Sequence, residues 1–596
     1  MSATRERRSP SHGWKRFILA GTMAMSLTPA LPALADPAPL RLPDVFSPES
    51  PFFMTVSTRL ARPDLLAQLG LGADRFITAD ASGSAAAAAI DAIGSAWVSD
   101  LQKDFGVTFA GDVAPWLGGE MALSIDRMKQ AAPKPKVKPT KGHKAASKMD
   151  LDDFDVLFAV SVADHTKAQA FLDRVTTAKK GQVGWKRGEV EGVATLTHAM
   201  AKGHDTMSLA LCDDVLLASD DPQELSAAIH RAKTHTPGLS SNADFAMLLR
   251  HHSDQALGFA YLGHPVFKAL ANLVVDHKGP ITNADRTMQE AFAPLSSAAI
   301  DMGYADHAFA LNSYIHYDTT QLKGVMASWL KDSSTPVPSA RMDALGPDAV
   351  AFSTFRFPQA FREAFVSGLH SEKKADRKLA ELKKNKGLDL EKDLTALMDG
   401  EGAIALLRRE DSGLPLPYCG YLALHPADVA KAQAGLKDMA NFFSKAMSNG
   451  KKKHAGSFAT ETHGGMPWTV YHTDKGPGLA GFGSKGDGVY LALGSGAMEQ
   501  IGSGTTAATR SVALTNVLSH LPDPNGGVIF IDVGTIMGDV GPMLQALASD
   551  KAGDKADAMG DAFGAVNRVE AIAFATQPGL DADGVFRGRM VLTIKK

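Results

Sequence analysis

The sequence predicts an α+β fold made of two tandem copies of one module, in which antiparallel sheets are covered by helices. The first observation is a repeat: KAQAFL at Lys167–Leu172 recurs as KAQAGL at Lys431–Leu436. Further matched segments follow in the same order in both halves, as expected of a duplication. The second observation is that the predicted strands are short, apolar or alternating and are joined by polar turns, which favours antiparallel pairing.

Length and composition indicate a globular protein. The chain has 596 residues, of which 45% are hydrophobic and 21% charged, so it can form a sizeable core. Its formal net charge of -3 provides no overall field that would attract nucleic acid. We therefore expect no nucleic-acid partner.

Residues 1–35 read as a cleaved secretory signal peptide. A basic leader, RERRSPSHGWKR, precedes the apolar run FILAGTMAMSLTPALPALA, which ends in the cleavage motif Ala33-Leu34-Ala35. The apolar run is too short to cross a hydrocarbon layer of roughly 30 Å, and no later stretch predicts a transmembrane span. The expected location of the mature protein is the periplasm.

The two predicted modules cover residues 36–335 and 340–596, and the linker between them lies in KDSSTPVPSAR. The strand and helix of Asp155–Val175 resemble those of Tyr418–Met439. Amphipathic spacing predicts helices at Ala85–Asp104, Thr166–Thr177 and Ala427–Met447.

Two carboxylate pairs recur between the modules. The segment Phe105–Ile125 resembles Lys386–Leu407, so that Asp112 falls on Asp393 and Glu120 on Glu401. Carboxylates can serve in acid/base catalysis. A glycine before each glutamate favours a structural position at a turn or strand edge, and both interpretations stay open here.

The segment PWLGGE at Pro115–Glu120 and the pattern DDVLLASDDPQELSAAI at Asp213–Ile229 resemble a bacterial exported family known as domain of unknown function 3352. The resemblance covers most of the mature chain. The second module departs from it, with Ala396-Leu397-Met398 where the first has Pro115-Trp116-Leu117. The resemblance implies export and a duplicated α+β fold, and it implies no activity or catalytic residue.

Linear motifs for cofactors, metals and nucleophiles are weak. Gly476, Gly478 and Gly481 have G-x-G-x-x-G spacing, but a strand follows instead of a helix, which predicts a glycine-rich hairpin. No H-E-x-x-H, C-x-x-C or G-x-S-x-G motif occurs in the sequence. His316 and Asp318 could place two metal ligands on one strand face, but the equivalent strand of the second module has no histidine there. We expect no cofactor, no metal and no catalytic residue.

Cys212 and Cys419 are the only cysteines. They are interpreted as buried, unpaired strand residues, with a single bridge between the modules as the alternative.

A Lys/Pro-rich insertion, Arg127–Lys148, interrupts the first module. It contains no acidic residue and cannot form a core, which predicts a disordered loop. Alternatively it is a cationic arm in weak contact with an anionic envelope surface. The candidate contacts are its seven lysines: Lys129, Lys134, Lys136, Lys138, Lys141, Lys144 and Lys148.

The function predicted from these features is that of a non-catalytic envelope protein that acts by binding, as a scaffold, chaperone or partner-binding protein. One alternative is a carrier of lipids or other apolar ligands, which requires an apolar cavity larger than packing needs. Another is an envelope hydrolase without a linear motif, which requires Asp, Glu or His side chains clustered in a cleft.

Overall fold

The computed structural model divides the chain into two compact units. The first comprises Met1–Lys268, Ser296–Tyr304 and Met543–Ala565, and the second comprises Ala269–Leu295, Ala305–Pro542 and Val566–Lys596. The residues that the structure describes are 42–57, 109–128, 154–177, 185–199, 206–253, 256–268, 292–338, 347–357, 359–370, 373–386, 388–398, 400–414, 416–448, 457–472, 480–504, 510–552 and 566–595.

The first unit contains an antiparallel sheet. Its described strands are β1 (Phe52–Ser57), β2 (Leu117–Met128), β3 (Phe154–Val162), β4 (Trp185–Val190), β5 (Val193–Ala199), β6 (Thr206–Cys212), β7 (Val215–Ser219), β8 (Ala256–Leu262) and β9 (Leu295–Ala305). Their order in the sheet is β4-β5-β6-β7-β3-β2-β1-β8-β9, with every neighbouring pair antiparallel.

The described helices of the first unit are α1 (His165–Thr177), α2 (Pro222–Thr234) and α3 (Ala243–Leu249). The start of α2 and of α3 is set by a capping residue directly before the helix. Asp221 accepts a hydrogen bond of 2.9 Å from the backbone N–H of Gln223, and Pro222 occupies the first helical position of α2. Asn242 caps α3 in the same way, through the N–H of Phe245 at 3.0 Å.

The second unit also contains an antiparallel sheet. Its described strands are β10 (Ala308–Tyr317), β11 (Ala349–Arg356), β12 (Gly400–Arg408), β13 (Tyr418–Pro426), β14 (Ser457–His463), β15 (Met466–His472), β16 (Ala480–Lys485), β17 (Gly488–Leu493), β18 (Val528–Ile531), β19 (Val569–Leu580) and β20 (Val585–Ile594). Their order is β14-β15-β16-β17-β13-β12-β11-β18-β19-β20-β10.

The helices that begin in the second unit follow in chain order. The described ones are α4 (Gly324–Asp332), α5 (Gln359–Leu369), α6 (Lys373–Lys386), α7 (Leu390–Leu397), α8 (Val429–Ser448), α9 (Ser495–Ser503), α10 (Val512–Leu518) and α11 (Val533–Ala552).

Each unit builds its core between sheet and helices. In the first, Ala168 and Leu172 of α1 join a buried cluster with Leu123 and Val160 of the sheet. In the second, one face of the sheet packs on α9 and α10, where Met498 and Leu514 are almost fully buried. On the opposite face, Leu436 of α8 packs over β13, β16 and β17. Period-two alternation in the strands and spaced apolar residues in the helices produce both layers.

The predicted α+β class with antiparallel sheets is confirmed. The helix expected at Thr166–Thr177 is α1, and the one expected at Ala427–Met447 is α8. Helix α8 begins two residues later than predicted because the Asp428 carboxylate accepts the N–H of Lys431 at 2.9 Å and caps it. The helix predicted at Ala85–Asp104 lies outside the described residues.

The module boundaries at 36–335 and 340–596 stay a prediction. The compact units divide the chain elsewhere, because residues 305–335 lie in the second unit. Strand β2 extends two residues into the predicted loop 127–148, where Arg127 pairs with Asp155 and Met128 with Phe154. The signal peptide, residues 1–35, lies outside the described residues.

Candidate functional site

An apolar groove lies on the sheet of the second unit. Successive side chains of a strand point to opposite faces, and one face of the central strands is covered by α9 and α10. The opposite face lines the groove. The residues of that face that line the groove are Ala351, Ser353, Ile404, Leu406, Gly420, Leu422, Leu491, Leu493, Ile529 and Ile531.

The apolar groove is open to solvent and large enough for a ligand. Its volume is about 580 Å³, within the range of roughly 300–1,000 Å³ common for small-molecule sites. Ile404 and Leu493 are each 52% exposed and Ile529 is 47% exposed, although all three belong to regular strands. Large aliphatic side chains exposed side by side mark an interaction surface more often than isolated ones do.

Helices limit the apolar groove at both ends of its strands. Toward one end, Leu422 and Leu491 also pack against the buried cluster that contains Leu436 of α8. Toward the other end, Arg408 and Tyr418 donate hydrogen bonds to the Asp539 carboxylate of α11, from Arg408 Nε at 2.6 Å and from the Tyr418 hydroxyl at 2.8 Å. The hydrogen bond from Arg408 lowers the pKa of Asp539.

The strands beneath the apolar groove are interior strands. Strand β17 lies between β16 and β13, and β18 lies between β11 and β19. Strands β11, β12 and β13 are likewise paired on both sides. The backbone of the floor is therefore engaged in the sheet, and contact with a ligand is made through side chains.

The seven lysines predicted to contact an anionic surface, Lys129, Lys134, Lys136, Lys138, Lys141, Lys144 and Lys148, all lie outside the described residues. Their proposed contact stays a prediction.

The recurrent aspartates have structural contacts. Asp112 accepts a hydrogen bond from Arg174 of α1, and its backbone carbonyl accepts the indole N–H of Trp116 at 2.7 Å. Asp393 is buried within α7, where burial and the neighbouring Asp438 raise its pKa. The structure places Asp112 in one compact unit and Asp393 in the other.

The recurrent glutamates occupy the same strand position in different surroundings. Glu120 of β2 lies opposite Ser57 of β1, and Glu401 of β12 lies opposite Arg356 of β11. Burial raises the pKa of Glu120 to about 7, opposed in part by His252. Glu401 instead accepts a hydrogen bond from the Arg356 guanidinium.

The other predicted candidates do not converge on one site. Asp318 accepts hydrogen bonds from Thr320 and Gln321 in its own turn, which lower its pKa. Within the described residues, no group of three or more His, Cys, Asp or Glu side chains is arranged to hold a metal ion.

Of the three glycines with G-x-G-x-x-G spacing, the one in the described residues is explained by packing. Gly476 and Gly478 lie outside the described residues, and Gly481 lies in β16. A Cβ at Gly481 would stand 2.9 Å from the Met498 sulfur, so glycine lets α9 approach the sheet.

Cys212 and Cys419 are free and buried. Burial raises the pKa of both thiols, that of Cys419 to about 11. The structure thus has the unpaired form and lacks the bridge.

The family comparison decides the relationship of the chain. The sequence profile described as protein of unknown function (DUF3352) matches residues 85–555. The chain belongs to this family. The predicted family relationship is thereby confirmed, and the family description assigns no activity.

Solved structures give only a distant likeness. Crystal forms I, IV and III of TP0453 align at TM-scores of 0.22, 0.23 and 0.22 with 10%, 8% and 9% sequence identity. The alignments cover 48%, 50% and 48% of this chain and 81%, 83% and 82% of the TP0453 chain. No curated protein matches the chain. Among the described helices, none has the length and apolar character needed to cross a membrane.

Proposed function

We propose that this protein is exported to the periplasm, acts by binding without catalysis, and holds the acyl chain of a lipid or similar amphiphile in its apolar groove. The observation that carries the proposal is the continuous apolar face, on which Ile404, Leu493 and Ile529 are about half exposed. The open apolar groove favours the carrier alternative over the scaffold, because a carrier requires apolar space that is not filled by packing.

The free energy available from burial is sufficient for useful affinity. Each fully buried methylene contributes about 0.8 kcal/mol, so complete burial of an acyl chain of about 14 methylenes would contribute at most roughly 11 kcal/mol. Loss of translational and rotational freedom costs about 4 kcal/mol or more. The difference of about 7 kcal/mol is the upper limit for this open groove, and it corresponds to a dissociation constant on the order of 10 µM.

An acyl chain suits the floor of the groove better than an extended peptide does. The strands beneath it are paired on both sides, so a peptide cannot add to them as a further strand. A peptide backbone laid across apolar side chains would leave buried N–H and C=O groups unpaired, at about 1–3 kcal/mol each. An acyl chain has no such groups.

We further propose that the two predicted modules are copies of one fold and that only the second has an open groove. The first unit has the strand order β4-β5-β6-β7-β3-β2-β1-β8-β9, and the second has the matching order β14-β15-β16-β17-β13-β12-β11-β18-β19. Counted from the paired glutamates, Ile404 corresponds to Leu123, and Leu422 to Phe158. Leu123 and Phe158 are buried in the core with α1, which supports a closed face there.

Binding of a palmitate analogue with an environment-sensitive fluorophore tests the proposal. We expect saturable binding to the mature chain, weakened roughly 30-fold by Ile404→Asn or Ile529→Asn, because each change removes about half a buried isoleucine and buries an amide. Ile300→Asn is the matched control, since Ile300 is 41% exposed on β9 of the first unit, and it should bind like wild type.

No saturable binding, or equal affinity in the groove variants and the control, would reject the acyl-chain proposal. Displacement of the probe by an amphipathic helical peptide, but not by unlabelled palmitate, would assign the groove to a partner protein instead.

The predicted cationic arm has its own test. Deletion of residues 130–148 should weaken binding to anionic vesicles in a salt-dependent manner, and unchanged binding would reject the arm.

A further inference from the structure

A second cavity, separate in chemistry from the apolar groove, lies at the ends of β11, β12 and β13 in the second unit. We call it the polar pocket. Its volume is about 610 Å³, and its walls come from three strand ends, the end of α4 with the segment after it, the start of α5 and the turn before β17. The pocket is thus assembled from segments far apart in the chain but held by regular elements.

Charged groups of both signs face this cavity in equal number. The cations are Lys331, Arg356 and Arg362, and the carboxylates are Asp332, Glu401 and Asp487. His425 adds a group that can carry positive charge, and its Nδ1 lies 3.3 Å from an Asp487 oxygen. With a neutral histidine the wall therefore has no net charge, which disfavours a ligand of one sign only.

The charged groups are held in position. Arg356, Glu401 and His425 are cross-strand neighbours on β11, β12 and β13, so their backbones are fixed by the sheet. Asp332 accepts the N–H of Gln359 at the start of α5, at 2.7 Å. Such preorganisation lowers the entropic cost of binding.

Arg356 and Arg362 give the wall two guanidinium groups, and arginine preferentially binds carboxylates in a paired geometry. The Nη2 atom of Arg356 donates a hydrogen bond to Glu401, which fixes the orientation of this guanidinium at the pocket. At the rim, Asp487 is 71% exposed and presents a carboxylate to a cationic group.

We propose that the polar pocket binds a small zwitterion that carries both a carboxylate and an ammonium group, as amino acids and short peptides do. The ligand carboxylate pairs with Arg356 and Arg362, and its ammonium group pairs with Asp487. This site is specific to the second module, because the positions of the first module that correspond to Arg356 and Glu401 are Ser57 and Glu120.

Calorimetric titration of the mature chain tests the proposal with four probes: alanine, alanyl-alanine, N-acetylalanine and alanine amide. At least one of the two zwitterions should bind saturably, and the two probes of single charge should bind at least tenfold more weakly. Whether alanine or alanyl-alanine binds more tightly separates an amino-acid site from a peptide site.

Three variants locate the binding. Arg362→Ala should weaken the zwitterion at least tenfold. Asp487→Asn should weaken the zwitterion several-fold but leave N-acetylalanine unchanged, since that probe lacks the ammonium group. Glu120→Gln, at the corresponding strand position of the first module, should have no effect.

Absence of saturation with both zwitterions, equally tight binding of N-acetylalanine, or unchanged affinity in both pocket variants would overturn the proposal. Because Asp487 lies in an exposed turn and Arg362 on a helix, matched thermal unfolding curves are expected and identify any variant that has lost its fold.

Discussion

Replacing Glu120 by glutamine should stabilise the first unit at alkaline pH and leave it unchanged at acid pH. Burial raises the pKa of Glu120 from 4.5 to about 7. The native protein therefore binds this proton more tightly than the unfolded chain, so stability is greatest below pH 4.5 and falls as the pH rises to 7. Glutamine cannot ionise and removes that decline.

The magnitude follows from the two pKa values. Their difference corresponds to about 3.4 kcal/mol, since a tenfold change in an equilibrium is about 1.4 kcal/mol. Glu120 is only partly buried, and solvent screening reduces the effect to about 1.5 kcal/mol. We expect Glu120→Gln to gain that amount at pH 8 and nothing at pH 4.

Hydrogen exchange of peptides from β2, corrected for the intrinsic rate at each pH, measures this change locally. The matched control is Glu401→Gln, followed in peptides from β12. Glu401 pairs with Arg356, and glutamine replaces this charge-assisted hydrogen bond by a weaker neutral one, so the variant should destabilise the second unit by about 1 kcal/mol at pH 8. The reasoning is refuted if Glu120→Gln fails to slow exchange at pH 8, or if both variants change stability in the same direction.

Two further predictions concern positions singled out by the repeat and by the cysteines. Gly400→Ala should destabilise the second unit by about 2 kcal/mol or more, because Gly400 has φ of +142° and a Cβ would stand 2.0 Å from the His425 carbonyl. Gly119→Ala, where a Cβ meets nothing within 4 Å, should be tolerated, and similar denaturant midpoints for the two variants would contradict this reading. Cys212 and Cys419 should resist a thiol reagent in the folded protein and both react after unfolding without reductant; reaction of neither would indicate a bridge.

Local patterns were sufficient to predict the parts of the fold that depend on nearby residues. The strand and helix of β3 and α1, and those of β13 and α8, follow from alternation, helical spacing and capping residues within about 30 positions. The antiparallel pairing follows from short strands joined by polar turns. These signals do not depend on what packs against each element.

The candidate sites depend on whether a helix covers each face of the sheet. The period-two alternation of the strands does not specify this. Ile404 and Leu406 have the same alternation as buried strand residues, yet both are exposed in the groove. The Arg356 and Glu401 pair joins residues 45 positions apart through β11 and β12. Comparison of the two modules contained one signal for the polar pocket. Arg356 of the second module corresponds to Ser57 of the first, although the glutamates opposite them, Glu401 and Glu120, match.

Native mass spectrometry of the mature protein, isolated gently from its own envelope, tests the central claim most directly. Solvent extraction then identifies whatever leaves with the protein. We predict a stoichiometric amphiphile with an acyl chain, retained by wild type and the Ile300→Asn control and lost from Ile404→Asn. Wild-type protein that arrives empty, or that carries a polypeptide in place of a lipid, would contradict the account.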